Sequence, residues 1–347
     1  MATVALHSVN ILHIIYATIA LFSVLLIFGK DRYKALIMLL IFTATQMIFN
    51  ILEELDISRQ FYLITPALPL ATGPLYYLFT KNLIYGNIKI SKDVIHLIPA
   101  IVALAFTAWW PLLMNIAFVL LVCYFYFTFR LLRHYHNVLA EVTSENDKYA
   151  LYWLTRTLVV IFTFEFIDFI RMNIQQKIPY EILMEWYFWG ILISLLCTCY
   201  LIIKAIRHPT LYAGLISLEK AFVENKAPKR SENHEQAYSI FVGIDKHVQS
   251  NRLYHQPKLS LRDLSDELGV TEKDISWAIN QGGGQSFSDY VNKLRIEEIK
   301  RRIRSSTEKI NFLELALNSG FNSKSTFNVV FKRLTDMTPS QYSKKHS

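Results

Sequence analysis

Cysteine is scarce in this chain, and the little there is lies where covalent or metal chemistry has no use for it. Cys123, Cys197 and Cys199 all fall inside apolar runs. A disulfide framework or a zinc site needs more of them, at loop positions. Cys197-Thr198-Cys199 therefore reads as small packing residues. The sequence also lacks His-Glu-x-x-His, Gly-x-Ser-x-Gly and a phosphate loop ending in Gly-Lys-Ser/Thr, so the common metalloprotease, serine hydrolase and nucleotide-binding designs are excluded. Gly282-Gly283-Gly284 has no lysine after it and reads as a loop. His134-Tyr135-His136 offers two histidines without further ligands and reads as a solvated inner loop. The expectation is a protein that is no enzyme, with no cofactor and no metal.

Charge is missing from long stretches. Val9–Gly29, Ala35–Leu52, Gln60–Thr80, Val94–Phe129 and Trp186–Ile203 contain no Asp, Glu, Lys or Arg. A bilayer crossing needs about 20 apolar residues at 1.5 Å rise each. The run from Val94 is too long for one helix, and Trp109-Trp110-Pro111 offers a turn with interfacial aromatics. A further apolar stretch, Ala150–Ile170, holds Arg156, Glu165 and Asp168. Seven spans result, at about 9–29, 35–52, 60–80, 94–109, 111–130, 150–170 and 185–204. The N-terminus has neither a basic leader region nor a small-residue cleavage site, so the first span is expected to be retained.

Ionisable groups at membrane depth usually face a bundle interior or a cavity, because lipid exposure is costly. Glu165 and Asp168 share one helix face at i, i+3, with Arg171 a further three residues on. One reading is a polar ligand or ion site that includes His13 of the first span. The other places Asp168 and Arg171 at the interface and gives Glu165 one inter-helix hydrogen bond.

After the last span the composition changes. Pro209 ends the apolar run, Leu211–Val223 is mildly amphipathic, and Glu224–Gln236 is charged with almost nothing apolar, which reads as a tether. Soluble amphipathic helices follow from Ala237. Ser260-Leu-Arg-Asp263 has capping-box form, with Leu261, Leu264 and Leu268 on one face and Gly269 at the end. Thr271-Glu-Lys-Asp274 opens a second helix with Ile275, Ala278 and Ile279 inward. The arrangement recurs: Ile310–Ser319 places Leu313 and Leu317 on one face, Gly320-Phe321-Asn322 turns, and Ser323 caps a helix with Phe327, Phe331 and Leu334 inward. Between the two units Phe287, Val291, Leu294, Ile299 and Ile303 form a stripe, and Lys293, Arg295, Lys300, Arg301, Arg302 and Arg304 are expected on the opposite face. Helix, glycine turn and capped helix within about 20 residues is helix-turn-helix geometry.

In order and spacing, LSLRDLSDELGV, QSFSDYVNKLRIEEIKRRI and LALNSGFNSKSTFNVVFKRLTDMTPSQY resemble the AraC/XylS regulators over roughly Ala237–Lys345. The resemblance implies a bipartite all-helical domain that sets two recognition helices into successive major-groove segments on one face of double-stranded DNA. It points to Lys273, Ser276 and Trp277 as base-facing in the first unit, and to Lys324, Ser325, Asn328 and Val329 in the second. RNA polymerase as a partner and a homodimer are further implications. Val329 stands where many members carry arginine, and Asp336-Met337 replaces a glycine-bearing pair before Thr338-Pro339-Ser340. From Ser250 onward 16 Lys plus Arg face 11 Asp plus Glu. Phosphate contacts are expected from helix N-termini, Arg262, Lys332 and Arg333.

A cytoplasmic DNA-binding end fixes the orientation. Seven spans then put the N-terminus outside, with eleven basic residues in the inner segments (Lys30, Arg32, Lys34, Lys81, Lys89, Lys92, Arg130, Arg133, Lys148, Lys204, Arg207) and three outside (Arg59, Arg171, Lys177), as the positive-inside rule requires. The expected whole is all-α: a seven-helix transmembrane bundle (1–208), a juxtamembrane segment and linker (209–236) and an AraC-type double helix-turn-helix domain (237–347). It would sit as a multi-pass protein in membrane lipid of a bacterial inner (cytoplasmic) membrane. The bundle would take up a small or lipophilic ligand and pass the signal to a regulator of transcription. A transporter or membrane enzyme with a regulatory helix-turn-helix domain is the alternative.

Overall fold

The computed structural model describes residues 7–86, 90–142, 144, 150–207, 234–305 and 310–346. Every regular element among them is helical. The chain divides into two compact units, residues 1–134 with 151–208, and residues 135–150 with 209–347.

The first unit is built on α1 (Ser8–Ile27), α2 (Lys34–Glu54), α3 (Pro69–Tyr85), the first part of α4 (Trp110–Val142), α5 (Tyr152–Ile174) and α6 (Tyr180–Arg207). By length and composition, four stretches are long and apolar enough to cross a membrane: Ser8–Ile27, Lys34–Glu54, Val94–Ala140 and Tyr180–Arg207. Side chains such as Leu25, Phe28 and Val119 are more than 60% exposed. Exposed apolar surface of this kind marks a membrane or protein contact.

Two expected spans differ from their forecast. The third begins at Pro69 instead of residue 60. Ahead of it the chain turns and forms a short 3-10 segment, Thr65–Ala67, because Pro66 and Pro69 lack the N–H that an earlier helix would use. Buried Glu53 holds that turn, accepting from the Ile64 and Thr65 amides at 2.7 and 2.9 Å and from the Thr65 hydroxyl. The fourth expected span, 94–109, is not one helix. It runs as Val94–Leu97, Ile98–Ala103 and Leu104–Trp109, with Phe106 at φ −123°, ψ 19°. Trp110 and Pro111 open α4 in its first turn, where proline is preorganised. The 33 residues of α4 carry it through His134-Tyr135-His136, so this segment is helical and the inner-loop expectation is corrected. Among the described residues no group of three metal-ligating side chains occurs.

Polar side chains tie α1 to α6: the Tyr16 hydroxyl lies 2.6 Å from Thr198 Oγ1 and 3.0 Å from Ser194 Oγ. Gly190 lets α6 approach α5, since a Cβ there would come within 2.9 Å of the Phe164 ring.

The second unit contains α7 (His234–Ser250), α8 (Leu261–Leu268), α9 (Glu272–Trp277) continued by a π-turn Ala278–Gly282, α10 (Phe287–Ser305), α11 (Phe312–Asn318), α12 (Lys324–Thr335) and α13 (Pro339–His346). Helix α7 opens at His234, three residues before the expected start. The amphipathic stretch 211–223 and linker residues 224–233 lie outside the described residues. Ser144 groups with this unit, its amide and hydroxyl donating to the Leu259 carbonyl at 3.3 and 3.0 Å.

Two apolar cores fill the unit. One gathers Ile244, Val248, Leu261, Leu264, Ile275, Ile279, Phe287 and Val291. The other gathers Ile296, Ile299, Ile303, Ala316, Phe321, Phe327, Val330 and Phe331. Helix α10 serves both, its first half in one and its second half in the other. At this level the expected stripe holds.

Candidate nucleic-acid interface

The first helix-turn-helix is assembled by local chemistry. Ser260 and Asp263 cap α8 reciprocally: the Ser260 N–H donates to Asp263 Oδ2 at 2.8 Å and the Asp263 N–H to Ser260 Oγ at 3.3 Å. Gly269 closes α8 at φ +65°, in the left-handed region that a side chain strains. Thr271 then accepts from the Asp274 N–H and starts α9. Asp274 Oδ2 in turn takes the Thr271 hydroxyl proton at 2.8 Å.

Ile275, Ala278 and Ile279 are fully buried, as their spacing predicts. Lys273 on the same short helix is exposed and Trp277 half-buried. Ser276 corrects the forecast: it is 2% exposed and accepts from Asn280 Nδ2, so it faces the protein. The outward row is Lys273, Trp277, Gln281, with Asn280 half-buried beside it. Their i, i+4, i+8 spacing was the available signal for Gln281, although the π-turn prolongs the helix beyond its sequence-visible length. Arg262 is exposed on α8. Burial raises the carboxyl of neighbouring Glu272 above the usual range, and the Arg262 charge works against that shift.

In the second unit Gly320 turns at φ +91°. Asn311 caps α11, accepting from the Leu313 and Glu314 amides, and Ser323 caps α12 through the Thr326 amide at 3.1 Å. Phe327 and Phe331 are fully buried with Val330 at 4%. Leu334 is instead 41% exposed, and Leu313 and Leu317 are 44% and 46% exposed. The true inward face of α11 is Phe312, Leu315 and Ala316. Both readings are helical repeats, and one step of register separates them. The face of α12 turned to solvent carries Lys324, Ser325, Asn328, Val329 and Lys332, all exposed. Four of the five line a shallow hollow of about 480 Å³ with Thr338 and Ser340.

Arg333 is exposed too, but its guanidinium holds Asp289 Oδ1 at 2.8 Å, which ties α12 to the start of α10. Asp336, in the pair that stands in place of the expected glycine-bearing one, adopts the left-handed conformation itself (φ 56°) and caps α12 through its N–H to the Lys332 carbonyl. The turn is preserved with a residue type that tolerates it.

The basic face expected on α10 is mostly committed to the protein. Lys300 pairs with Glu297, and Arg301 and Arg302 with Glu298. Burial raises the Glu298 carboxyl, yet the Arg302 hydrogen bond and the two arginine charges outweigh it and leave it below its ordinary range. Arg304 donates to the Tyr342 hydroxyl at 2.6 Å. Arg295 is 1% exposed, a correction to its expected place on the surface. It donates from Nε to the Tyr254 carbonyl at 2.7 Å and from Nη2 to the Gln256 carbonyl at 2.9 Å, over the Phe321 ring. Residue spacing did carry the signal: Arg295 continues the buried row Phe287, Val291, Ile299 and Ile303 in steps of four. What buries it is the pair of open carbonyls after α7.

With arginine restored at the exposed Val329, a bidentate donor for guanine O6 and N7 joins α12. Val329→Arg is expected to favour guanine at one contacted base pair by about 1–3 kcal/mol, read as a shifted base preference in a selection from randomised duplexes.

Comparison with known proteins places this geometry. Residues 264–345 match the family model described as a helix-turn-helix domain. The chain is 34% identical over 90 residues to an uncharacterized HTH-type transcriptional regulator of Staphylococcus aureus strain MSSA476, covering 26% of this chain and 12% of that protein. It is 28% identical over 101 residues to the uncharacterized transcriptional regulatory protein YesN of Bacillus subtilis strain 168, covering 24% and 27%. The chain therefore spans a small part of the length of the relatives it matches. Among solved structures, a Listeria innocua protein of unknown function aligns at TM-score 0.28 and 22% identity over 31% of this chain and 98% of that one, a level that decides nothing about fold.

Proposed function

We propose that this chain, whose C-terminal domain is an AraC-type helix-turn-helix domain, is a membrane-bound, sequence-specific regulator of transcription. In this reading the apolar first unit lies in membrane lipid and senses a signal, which it passes to the second unit on the cytoplasmic side. The observation that carries it is one chain holding both a pair of capped helices with exposed polar faces and four helices long enough to cross a bilayer. Helix α3 at 17 residues, α5 with its charges, and Val94–Ala140 taken as two crossings bring the four stretches to seven spans in this reading, and the eleven-to-three distribution of basic residues between alternate loops supports the orientation. Lys273, Trp277, Lys324, Ser325, Asn328 and Val329 take the base edges, while Arg262 and Lys332 take phosphates. RNA polymerase and a second copy of the chain are the partners this reading adds.

Genome-wide occupancy of the tagged full-length protein tests it. The expected result is a limited set of enriched promoter sites sharing a two-part motif. Absence of enrichment under every growth condition overturns the reading.

A further inference from the structure

The first unit holds a polar cleft of about 420 Å³ among α1, α2, α3, α5 and α6. His13, Glu165 and Asp168 all line it, although 150 residues separate the first from the others. Their charges are not equivalent. Both oxygens of Asp168 are taken by the Arg171 fork, at 2.7 and 3.1 Å, and that guanidinium also lies over the Tyr187 ring at 4.3 Å. Both oxygens of Glu53 are taken by the Ile64–Thr65 turn. Glu54 and Arg59 are exposed at the rim and carry opposite charges. Glu165 is left as the interior carboxylate of the cleft without a hydrogen-bond partner among the described residues.

A second, independent observation lies across the cleft. His13 is 3% exposed on its wall, and its Nδ1 has no partner, while Nε2 is 3.5 Å from Asn50 Nδ2. Unpaired buried polar atoms cost about 1–3 kcal/mol each, so the lining of this cleft carries an unsatisfied group besides Glu165. The walls also carry Trp186 and Tyr187. Glu165 and Asp168 are shared with a smaller, adjoining hollow lined by Met114, Phe118, Phe169 and Met172, where Phe118 and Phe169 stack at 4.0 Å.

We infer that this cleft binds a small amphipathic amine. Its ammonium group pairs with Glu165, and its apolar body lies toward Phe118 and Phe169. An anion finds no interior cation, since Arg171 is already forked to Asp168. As the site of the signal, this rests on the sensing role proposed above; as a binding site, it does not.

The test uses full-length protein in zwitterionic nanodiscs, read by the fluorescence of Trp186, with Trp186→Phe as the control for signal origin. Phenethylamine is compared with its neutral and anionic counterparts, 2-phenylethanol and phenylacetate. Saturable quenching by the amine alone is expected, weakened at least about tenfold, or 1.4 kcal/mol, in Glu165→Gln. Equal binding of the alcohol or the acid to the unmodified protein overturns the proposal even where the variant fails to fold. So does undiminished amine binding by a folded Glu165→Gln, or no saturable amine binding up to millimolar concentration. Amine binding that leaves promoter occupancy unchanged supports the site and overturns the sensing role instead.

Discussion

Replacing Arg295 by methionine is expected to destabilise the C-terminal domain by about 3–5 kcal/mol, the largest loss foreseen for any single side chain here. The arginine stem is retained in volume, so packing changes little. What disappears is a fork of charge-assisted hydrogen bonds to the Tyr254 and Gln256 carbonyls. Each carbonyl left without a partner costs about 1–3 kcal/mol, and the Phe321 ring loses its cation. Lysine is a poor substitute, because a single ammonium cannot span two carbonyls that a rigid fork meets together. Gly320→Ala attacks the same junction from the other side. A Cβ there would stand 2.5 Å from the Tyr254 carbonyl oxygen and 2.9 Å from Arg295 Nε, on a backbone already left-handed at φ +91°. The expected cost is about 2–4 kcal/mol, from the strained backbone together with the displaced clamp. Urea unfolding followed at Trp277, the one tryptophan of residues 234–347, measures both. A shift below about 1 kcal/mol in each would show that the buried arginine is dispensable.

The second large effect concerns binding rather than folding. Lys324→Ala combined with Asn328→Ala is expected to weaken specific DNA binding by about 2–5 kcal/mol, on the footing of 1–3 kcal/mol for each good base contact. Both side chains are exposed on α12, and neither belongs to the core beneath it. The unfolding midpoint should therefore stay where it was. Binding to random-sequence duplex should fall far less than binding to the target site, because the phosphate-directed charges of Arg262 and Lys332 remain. A fluorescence-polarisation titration against both duplexes separates the two. Equal losses on target and random DNA would assign the pair to the phosphate backbone. No loss on either would remove α12 from the interface.

How much of this was legible beforehand depended on the kind of physics involved. Capping residues and glycine turns act within a few residues of chain, so Ser260, Gly269, Ser323 and Gly320 announced both helix-turn-helix units and the structure keeps them. Apolar spacing was less decisive. Helix α11 offers Leu313 and Leu317 on one face and Phe312, Leu315 and Ala316 on another, and only the partner core at Phe327 and Phe331 selects the second. Ser276 failed for the same reason: a position borrowed from a resemblance says which residue aligns, while burial depends on what packs beside it. The apolar unit was readable where residues avoid charge over a bilayer width. It was misread at Pro66, Pro69 and Phe106, where missing amide hydrogens and a local kink override hydropathy. Tertiary partners were the hardest to read. Arg295 belongs to a basic run in composition and to the buried row by spacing, yet its carbonyl partners at Tyr254 and Gln256 lie 41 and 39 residues away, and His13 and Glu165 line one cleft as the site reading had them.

The clamp at Arg295 has a consequence for the DNA rather than for the protein. Helix α10 is 19 residues long, a rod of about 28 Å, and it is pinned midway by its own arginine instead of being hinged. The two reading heads at its ends cannot slide apart or rotate independently. In the proposed reading the length of this rod is of the same order as one turn of the duplex, about 34 Å, and a target is expected to present both halves of its motif in one fixed phase. Inserting five base pairs between the halves turns the second one to the far side of the double helix, beyond the reach of a stiff ruler. Inserting a full turn restores the face but not the distance. In the proposed reading the phase of the target is set through a buried side chain whose own bonds stay within the protein.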